Sequence, residues 1–142
     1  MIAGADDEIY VRLFPKEAER LVADLIEAEN RGVAVKSIFM KPYPETFRLQ
    51  VVHPQSGHLE AVMGGRSFVF VVDKREFLGG IIEAGKEEQA RIHWGSNRWS
   101  VTSGRDSLRH DFFHYLLVKL YERKASLTPQ EEALYRILRQ DT

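Results

Sequence analysis

Residues 8–40 restrict the fold more than any other stretch of the chain. In EIYVRLF, 8–14, Ile9, Val11 and Leu13 alternate with Tyr10, Arg12 and Phe14, the period of a strand. Pro15 then suits the first turn of a helix, where its missing N–H costs nothing. Ala18, Leu21, Val22, Leu25 and Ala28 form an apolar stripe of helical period. Asn30-Arg31-Gly32 ends it, with Gly32 as the left-handed residue after the helix. VAVKSIFM, 33–40, reads as the next strand. A strand, a helix and a strand in this order predict a right-handed crossover joining two parallel neighbours.

The remaining chain reads mostly as hairpins. Lys41-Pro42-Tyr43-Pro44 cannot pair regularly and predicts an extended loop. Residues 46–53 alternate, with Phe47, Leu49 and Val51 on one face, and Pro54-Gln55-Ser56-Gly57 is turn chemistry. Residues 59–63 read as a returning strand with Leu59, Ala61 and Met63 on a face, followed by a Gly64-Gly65 hairpin turn. SFVFVVD, 67–73, is apolar on both parities, as in a central strand covered on both sides. In 74–89 the spacing of Phe77, Leu78, Ile81 and Ile82 is helical but Gly79-Gly80 interrupts it, which predicts a short helix or structured loop. Residues 90–94 and 98–102 flank Gly95-Ser96-Asn97 and predict another hairpin. Ser103-Gly104-Arg105-Asp106 predicts a capping box for a helix running to about Lys124, with Asp106 or Ser107 as alternative caps. Thr128-Pro129-Gln130-Glu131 is a stronger box, and Ala133, Leu134, Ile137 and Leu138 should form the buried face of the helix it opens. The expected fold class is α+β: a mostly antiparallel sheet of about six strands, covered by an N-terminal helix and a C-terminal helical hairpin.

At 142 residues the chain is expected to be a single globular domain, 1–142, with residues 1–7 disordered. No cysteine is present, which excludes disulfides, thiolate metal sites and thiol nucleophiles. The N-terminal segment is acidic and lacks an apolar core, and no run approaches the roughly 18 apolar residues of a membrane span, so the expected location is cytoplasmic. The net charge of −1 hides an asymmetry. Residues 1–30 carry eight acids against three bases, and residues 91–124 carry seven bases against three acids. A balanced total argues against indiscriminate nucleic-acid binding while leaving room for a local basic patch.

The stretch RHDFFHY, 109–115, is the densest in chemistry-bearing residues. On a helical wheel Phe112, Phe113, Leu116, Leu117 and Leu120 fall within an arc of about 140° and predict the core face. His110, His114 and Tyr121 ride on its edge, and Asp111 lies further round, towards solvent. His110 and His114, four apart, share a face, and His-Asp-x-x-His resembles the zinc motif His-Glu-x-x-His in spacing. Under that reading zinc is the cofactor, His110 and His114 are its ligands and Asp111 is the general base. Asp is a methylene shorter than Glu, and a third ligand is required. Glu131 and Glu132 lie downstream, but the capping box and the helix dipole already account for them. The plainer reading makes the histidines the rim of a core, with no cofactor. Of the remaining histidines, His53 takes the core parity and His58 the opposite one.

A second candidate is the predicted hairpin 90–102. There Trp94 would oppose Trp99 and Ile92 would oppose Val101 on the core side. The opposite face would show Arg91, His93 and Arg98, with Arg105 and Arg109 following on the next helix. Arginine forks suit carboxylates and phosphates, so this face predicts an anion site. The plainer reading is the solvated polar face of an amphipathic hairpin. No complete catalytic constellation appears, and no Gly-x-Ser-x-Gly. The leading expectation is therefore a non-enzymatic binding or regulatory module that recognises a protein or other acidic partner through Arg91, His93, Arg98, Arg105 and Arg109. A metal-dependent hydrolase and a nucleic-acid-binding domain are the alternatives.

Overall fold

The structure is a computed structural model describing residues 1–141. Six strands form one sheet: β1 (Glu8–Leu13), β2 (Ala34–Phe39), β3 (Leu49–Val52), β4 (Gly65–Val72), β5 (Glu76–Glu83) and β6 (Arg91–Gly95). Their order is β3-β2-β1-β4-β5-β6. β1 runs parallel to β2 and β2 parallel to β3, whereas β1–β4, β4–β5 and β5–β6 are antiparallel. The crossover helix α1 (Pro15–Asn30) joins the first parallel pair, as the opening stretch predicts. Because β1 lies at the centre, all six of its residues are buried, and even its polar side chains must find partners inside.

Each face of the sheet has its own core. Ile9, Val11, Val35, Phe70 and Val72 pack against Leu25 and Ala28 of α1. Tyr10, Ile38 and Val71 on the other face pack against Val101, Leu108 and Phe112 of α3 (Arg98–Leu117) and Leu134 and Leu138 of α4 (Pro129–Gln140). Burying a side chain such as Phe112 contributes about 2–3 kcal/mol. Thr128 and Glu131 close the predicted capping box, with the Glu131 N–H donating to Thr128 Oγ1 at 3.1 Å and the Thr128 N–H to Glu131 Oε1 at 2.8 Å. Among the described residues no helix is long and apolar enough to cross a membrane.

Several local expectations are overturned. Residues 56–63 form a helix, α2 (Ser56–Met63), and not a strand. The five residues carry both the alternation of Leu59, Ala61 and Met63 and the helical i, i+3, i+4 spacing of Leu59, Val62 and Met63. Gly64 closes α2 in the left-handed region (φ +75°) instead of turning a hairpin. Residues 76–83 are the strand β5, neither helix nor loop. Gly79 and Gly80 do not break it; they leave room for rings lying across it. A Cβ on Gly79 would come within 2.8 Å of the Phe77 ring, and one on Gly80 within 2.4 Å of the Phe68 ring.

The predicted second arm of the 90–102 hairpin is the first turn of α3. Asn97 caps it, accepting the Ser100 N–H at 2.9 Å, so the helix begins well before the predicted box at Ser103. Its buried face is Val101, Arg105, Leu108, Phe112 and Leu116. Leu117 and Leu120 are exposed, because the core stripe is narrower than the apolar arc and a π-helical turn, Val118–Glu122, shifts the phase beyond Leu117. On α4 only Leu134 and Leu138 are buried, while Ala133 and Ile137 face outward. The first seven residues, expected to be disordered, lie against the fold. Ala5 is buried, and the backbone N–H groups of Asp6 and Asp7 donate to the Asp73 carboxylate at 2.8 and 2.7 Å.

Candidate functional site

The β4–β5 turn and the first half of α3 enclose a cleft of about 620 Å³. Lys74, Arg75, Arg98, Arg105 and Arg109 line it, against a single acid, Asp106. The turn is unusual in its backbone: Asp73 and Lys74 both take positive φ, 52° and 56°, a region that costs a non-glycine residue on the order of 1 kcal/mol. What holds Asp73 there is its carboxylate, which accepts the N–H groups of Asp6, Asp7 and Glu8. Burial pushes its pKa up, but these three donors and Arg75 outweigh burial and hold it below the usual carboxylate range. The pinned turn carries Lys74 and Arg75 to the cleft wall.

Not all of the cationic charge is free. Arg75 contacts Asp73 at 3.1 Å and Asp6 at 3.6 Å, and Arg109 contacts Asp106 at 2.9 Å while donating to the Leu138 carbonyl at 2.8 Å. Lys74 and Arg98 have no ion-pair partner among the described residues.

Behind the cleft Arg105 belongs to a buried polar knot. It donates to Glu8 Oε1 and Oε2 at 2.8 and 3.3 Å. Lys36 donates to Glu8 at 3.1 Å and also to Asp141, just beyond α4. Tyr10 donates to the same Asp141 oxygen at 2.6 Å, and Arg105 lies 3.9 Å from it. Burial, followed by the Asp141 carboxylate, pushes the Tyr10 hydroxyl far above its ordinary pKa. Burial raises the Asp141 pKa, but the hydrogen bonds from Lys36 and Tyr10 outweigh it, and the net displacement is downward.

Of the sequence-predicted contact residues, Arg98, Arg105 and Arg109 come together; Arg91 and His93 do not. Arg91 sits near Glu83 (3.7 Å) at the far end of β6. His93 lies across the sheet from the cleft rim, 6.3 Å from the Phe77 ring, lining a separate cavity of about 370 Å³ with Trp99. The predicted Trp94–Trp99 pair is absent because residues 98–102 are helical. Trp94 pairs in register with Leu78 and donates to Glu76 at 3.2 Å. Trp99 is 78% exposed on the first turn of α3, beside Arg98, so its ring stands in solvent and not on the core side. Sequence reasoning missed Lys74 and Arg75. Their signal was Asp-Lys-Arg between two apolar runs, legible as a hairpin turn only once 76–83 is assigned as a strand.

RHDFFHY turns its aspartate inward, not towards solvent. Asp111 Oδ2 accepts Arg12 Nη1 at 2.7 Å, and Asp111 Oδ1 lies 3.3 Å from His53 Nε2. The Gln55 N–H donates to His53 Nδ1 at 3.0 Å, so Nε2 carries the proton that faces Asp111. Burial works to raise the Asp111 pKa, but His53 and Arg12 together hold it below the usual range. With both nitrogens of His53 engaged and its ring buried, the dyad has no free position for proton transfer. His114 packs edge-on against His53, ring centroids 5.9 Å apart, while His110 is exposed. The predicted trio of His110, Asp111 and His114 therefore does not converge on one point. Among the described residues no group of three or more His, Cys, Asp or Glu side chains is placed to hold a metal ion.

No protein family matches the chain, and no curated protein matches it in sequence. Solved structures do match in fold. TrmBL2, an archaeal chromatin protein whose structure shows a novel mode of DNA binding, superposes with a TM-score of 0.55 at 15% identity. The match covers 80% of this chain and 46% of that one, so the chain spans about half the length of that relative. NucT from Helicobacter pylori gives 0.54 at 9% identity, covering 79% and 82% of the two chains. Nuc from Salmonella typhimurium, a phospholipase D family member, gives 0.48 at 13%, covering 79% and 82%. At these identities the likeness is one of fold.

Proposed function

We propose that this chain is a nucleic-acid-binding domain that grips the phosphate backbone in the cleft between the β4–β5 turn and α3. The observation that carries the reading is the cleft wall itself, five basic side chains to one acid, on a chain whose net charge is −1. Lys74 and Arg98 supply uncommitted charge. Arg75 can exchange its exposed partner Asp6, and Arg109 its exposed partner Asp106, for phosphate oxygens. Trp99, exposed beside Arg98, offers a ring on which an unpaired base can stack. TrmBL2, which shares the fold, is described as binding DNA, and that supports the same direction. The carboxylate that lines the cleft, Asp106, is paired with Arg109, so the role proposed is binding and not catalysis.

The test is affinity for a short fluorescent oligonucleotide, single- and double-stranded, as salt is varied. Neutralising phosphates with Lys74 and Arg98 alone predicts a slope of log K on log salt of about −2, approaching about −4 if Arg75 and Arg109 also engage. Charge reversal by Lys74→Glu with Arg98→Glu should weaken binding at least about tenfold and flatten the slope, with the far-ultraviolet circular dichroism unchanged. A flat salt response in the unmodified protein, or undiminished binding by the folded double variant, defeats the reading. Competition by polyglutamate as effective as by DNA would instead favour an acidic protein partner.

A further inference from the structure

We infer that the buried donors Tyr10, Lys36 and Arg105 form a phosphoryl-anion subsite at the back of the cleft, and that the carboxylate of Asp141 occupies it as a built-in competitor. The inference deepens the proposed nucleic-acid reading, since Arg105 lines the cleft as well as the knot.

Three side chains from three elements converge on one carboxylate oxygen. Tyr10 comes from β1, Lys36 from β2 and Arg105 from α3. Tyr10 is fully buried and the Lys36 and Arg105 side chains are only 4% and 9% exposed, so their donors are fixed by packing before any ligand arrives. Asp141 differs from them. Its side chain is 21% exposed, and its backbone has left the helix for an extended conformation (φ −73°, ψ 97°). It is the one member of the knot outside a strand or helix, tied to α4 by its backbone N–H, which donates to the Ile137 carbonyl at 3.0 Å, and its side chain can turn away while that bond is kept.

Charge balance gives the departure a consequence. Glu8 and Asp141 together balance Lys36 and Arg105. Without Asp141 one buried positive charge is left over, and such a charge demands an anion. A phosphate oxygen can accept from Tyr10 and Lys36 as the carboxylate oxygen does, with the Arg105 guanidinium 3.9 Å from that position. Arg109 links the two states mechanically: it lines the cleft and also holds the Leu138 carbonyl in the last turn of α4. A backbone phosphate that draws Arg109 into the cleft loosens the turn that positions Asp141.

Inorganic phosphate is the probe, read by thermal unfolding against chloride at matched ionic strength. Asp141→Ala should unfold at a lower temperature than the unmodified protein in chloride, and phosphate should restore the loss. The variant should bind phosphate at least about tenfold more tightly than the unmodified protein. Adding Lys36→Met to Asp141→Ala should abolish the rescue. Asp141→Asn keeps the shape and the acceptor oxygen while removing the charge, so it should show a weaker form of the same rescue and serves if the alanine variant does not fold. A folded variant indifferent to phosphate, or a rescue that survives loss of Lys36, overturns the subsite. Because no oligonucleotide is involved, phosphate rescue without DNA binding would defeat the proposed function and leave the subsite standing.

Discussion

Two buried polar knots tie α3 to the sheet, and they differ in how completely each is closed. One joins Asp111 to Arg12 and His53. The other joins Arg105 to Glu8, Lys36, Tyr10 and Asp141. In the first, every member comes from the body of the fold or the loop after β3, and the histidine has spent both nitrogens. In the second, Arg105 also lines the basic cleft and one member, Asp141, is a partly exposed acid just beyond α4. Both knots satisfy the rule that a buried charge is paired. Only the second leaves a member that a ligand can replace. A cluster that resembles chemistry in sequence can thus be closed off inside the fold, while a basic cleft is assembled from residues no motif unites.

The sharpest way to break this contrast is to remove the hub of the closed knot. Asp111→Ala strands Arg12, whose side chain is 9% exposed, without its counter-charge and leaves the buried Nε2–H of His53 without its acceptor. Loss of one partner from a buried pair costs about 3–5 kcal/mol, so urea unfolding should show a large fall in midpoint. Lys74→Glu and Arg98→Glu, on the cleft rim, should each stay within about 0.5 kcal/mol. A mild Asp111→Ala phenotype would mean that the first knot is as open as the second.

The knots should also separate by pH. Asp111 and Asp141 both titrate below their ordinary range when folded, and so does Asp73. A depressed folded pKa stabilises above the unfolded value, and that contribution is lost as pH falls through the folded one. Stability should therefore decline below about pH 4 with contributions from both knots. The alkaline side belongs mainly to one. The raised pKa of Tyr10 stabilises below its unfolded value of about 10, and the contribution is lost as pH climbs beyond that. Tyr10→Phe should cost about 1.5–3 kcal/mol at neutral pH, the value of a hydrogen bond to a charged group. It should also blunt the alkaline decline, leaving the smaller share of Tyr115, whose pKa burial and then Glu131 raise. Denaturant midpoints across pH 3–11 test this. An alkaline arm unchanged in Tyr10→Phe would detach Tyr10 from the second knot.

The sequence was legible where periodicity ran long enough to be unambiguous. The β1–α1–β2 crossover, the Thr128 capping box and the burial of Phe112 and Leu116 all follow from local pattern. It failed where a short pattern served two masters. In 59–63 Leu59, Ala61 and Met63 have the alternation of a strand while Leu59, Val62 and Met63 have the spacing of a helix. Gly79-Gly80 looks like a breaker until the rings of Phe68 and Phe77 are seen to need the space. That error hid the Asp-Lys-Arg turn and with it half of the cleft. Arg98, Arg105 and Arg109 read in sequence as a hairpin face and its neighbour, whereas helical spacing along α3 brings them to one cleft. The partners of Arg105 and Asp111 lie 97 and 99 residues away in β1, a separation across which no local pattern carries information.

The two histidines of RHDFFHY give the finest probe of the closed knot, because spacing makes them equivalent and packing does not. His114 packs edge-on against His53, which in turn faces Asp111. His110 stands in solvent. An aromatic edge contact is worth about 0.5–1.5 kcal/mol beyond the area it buries, so His114→Ala should destabilise by roughly 1 kcal/mol. His110→Ala should fall within about 0.5 kcal/mol of the unmodified protein, as exposed substitutions do. The difference lies near the resolution of urea unfolding, so the two variants are best compared side by side under one buffer. In the double variant Asp111→Ala/His114→Ala the histidine effect should shrink, because His53 is no longer anchored for the edge contact. Equal effects of His110→Ala and His114→Ala would show that the edge contact with His53 does not divide them.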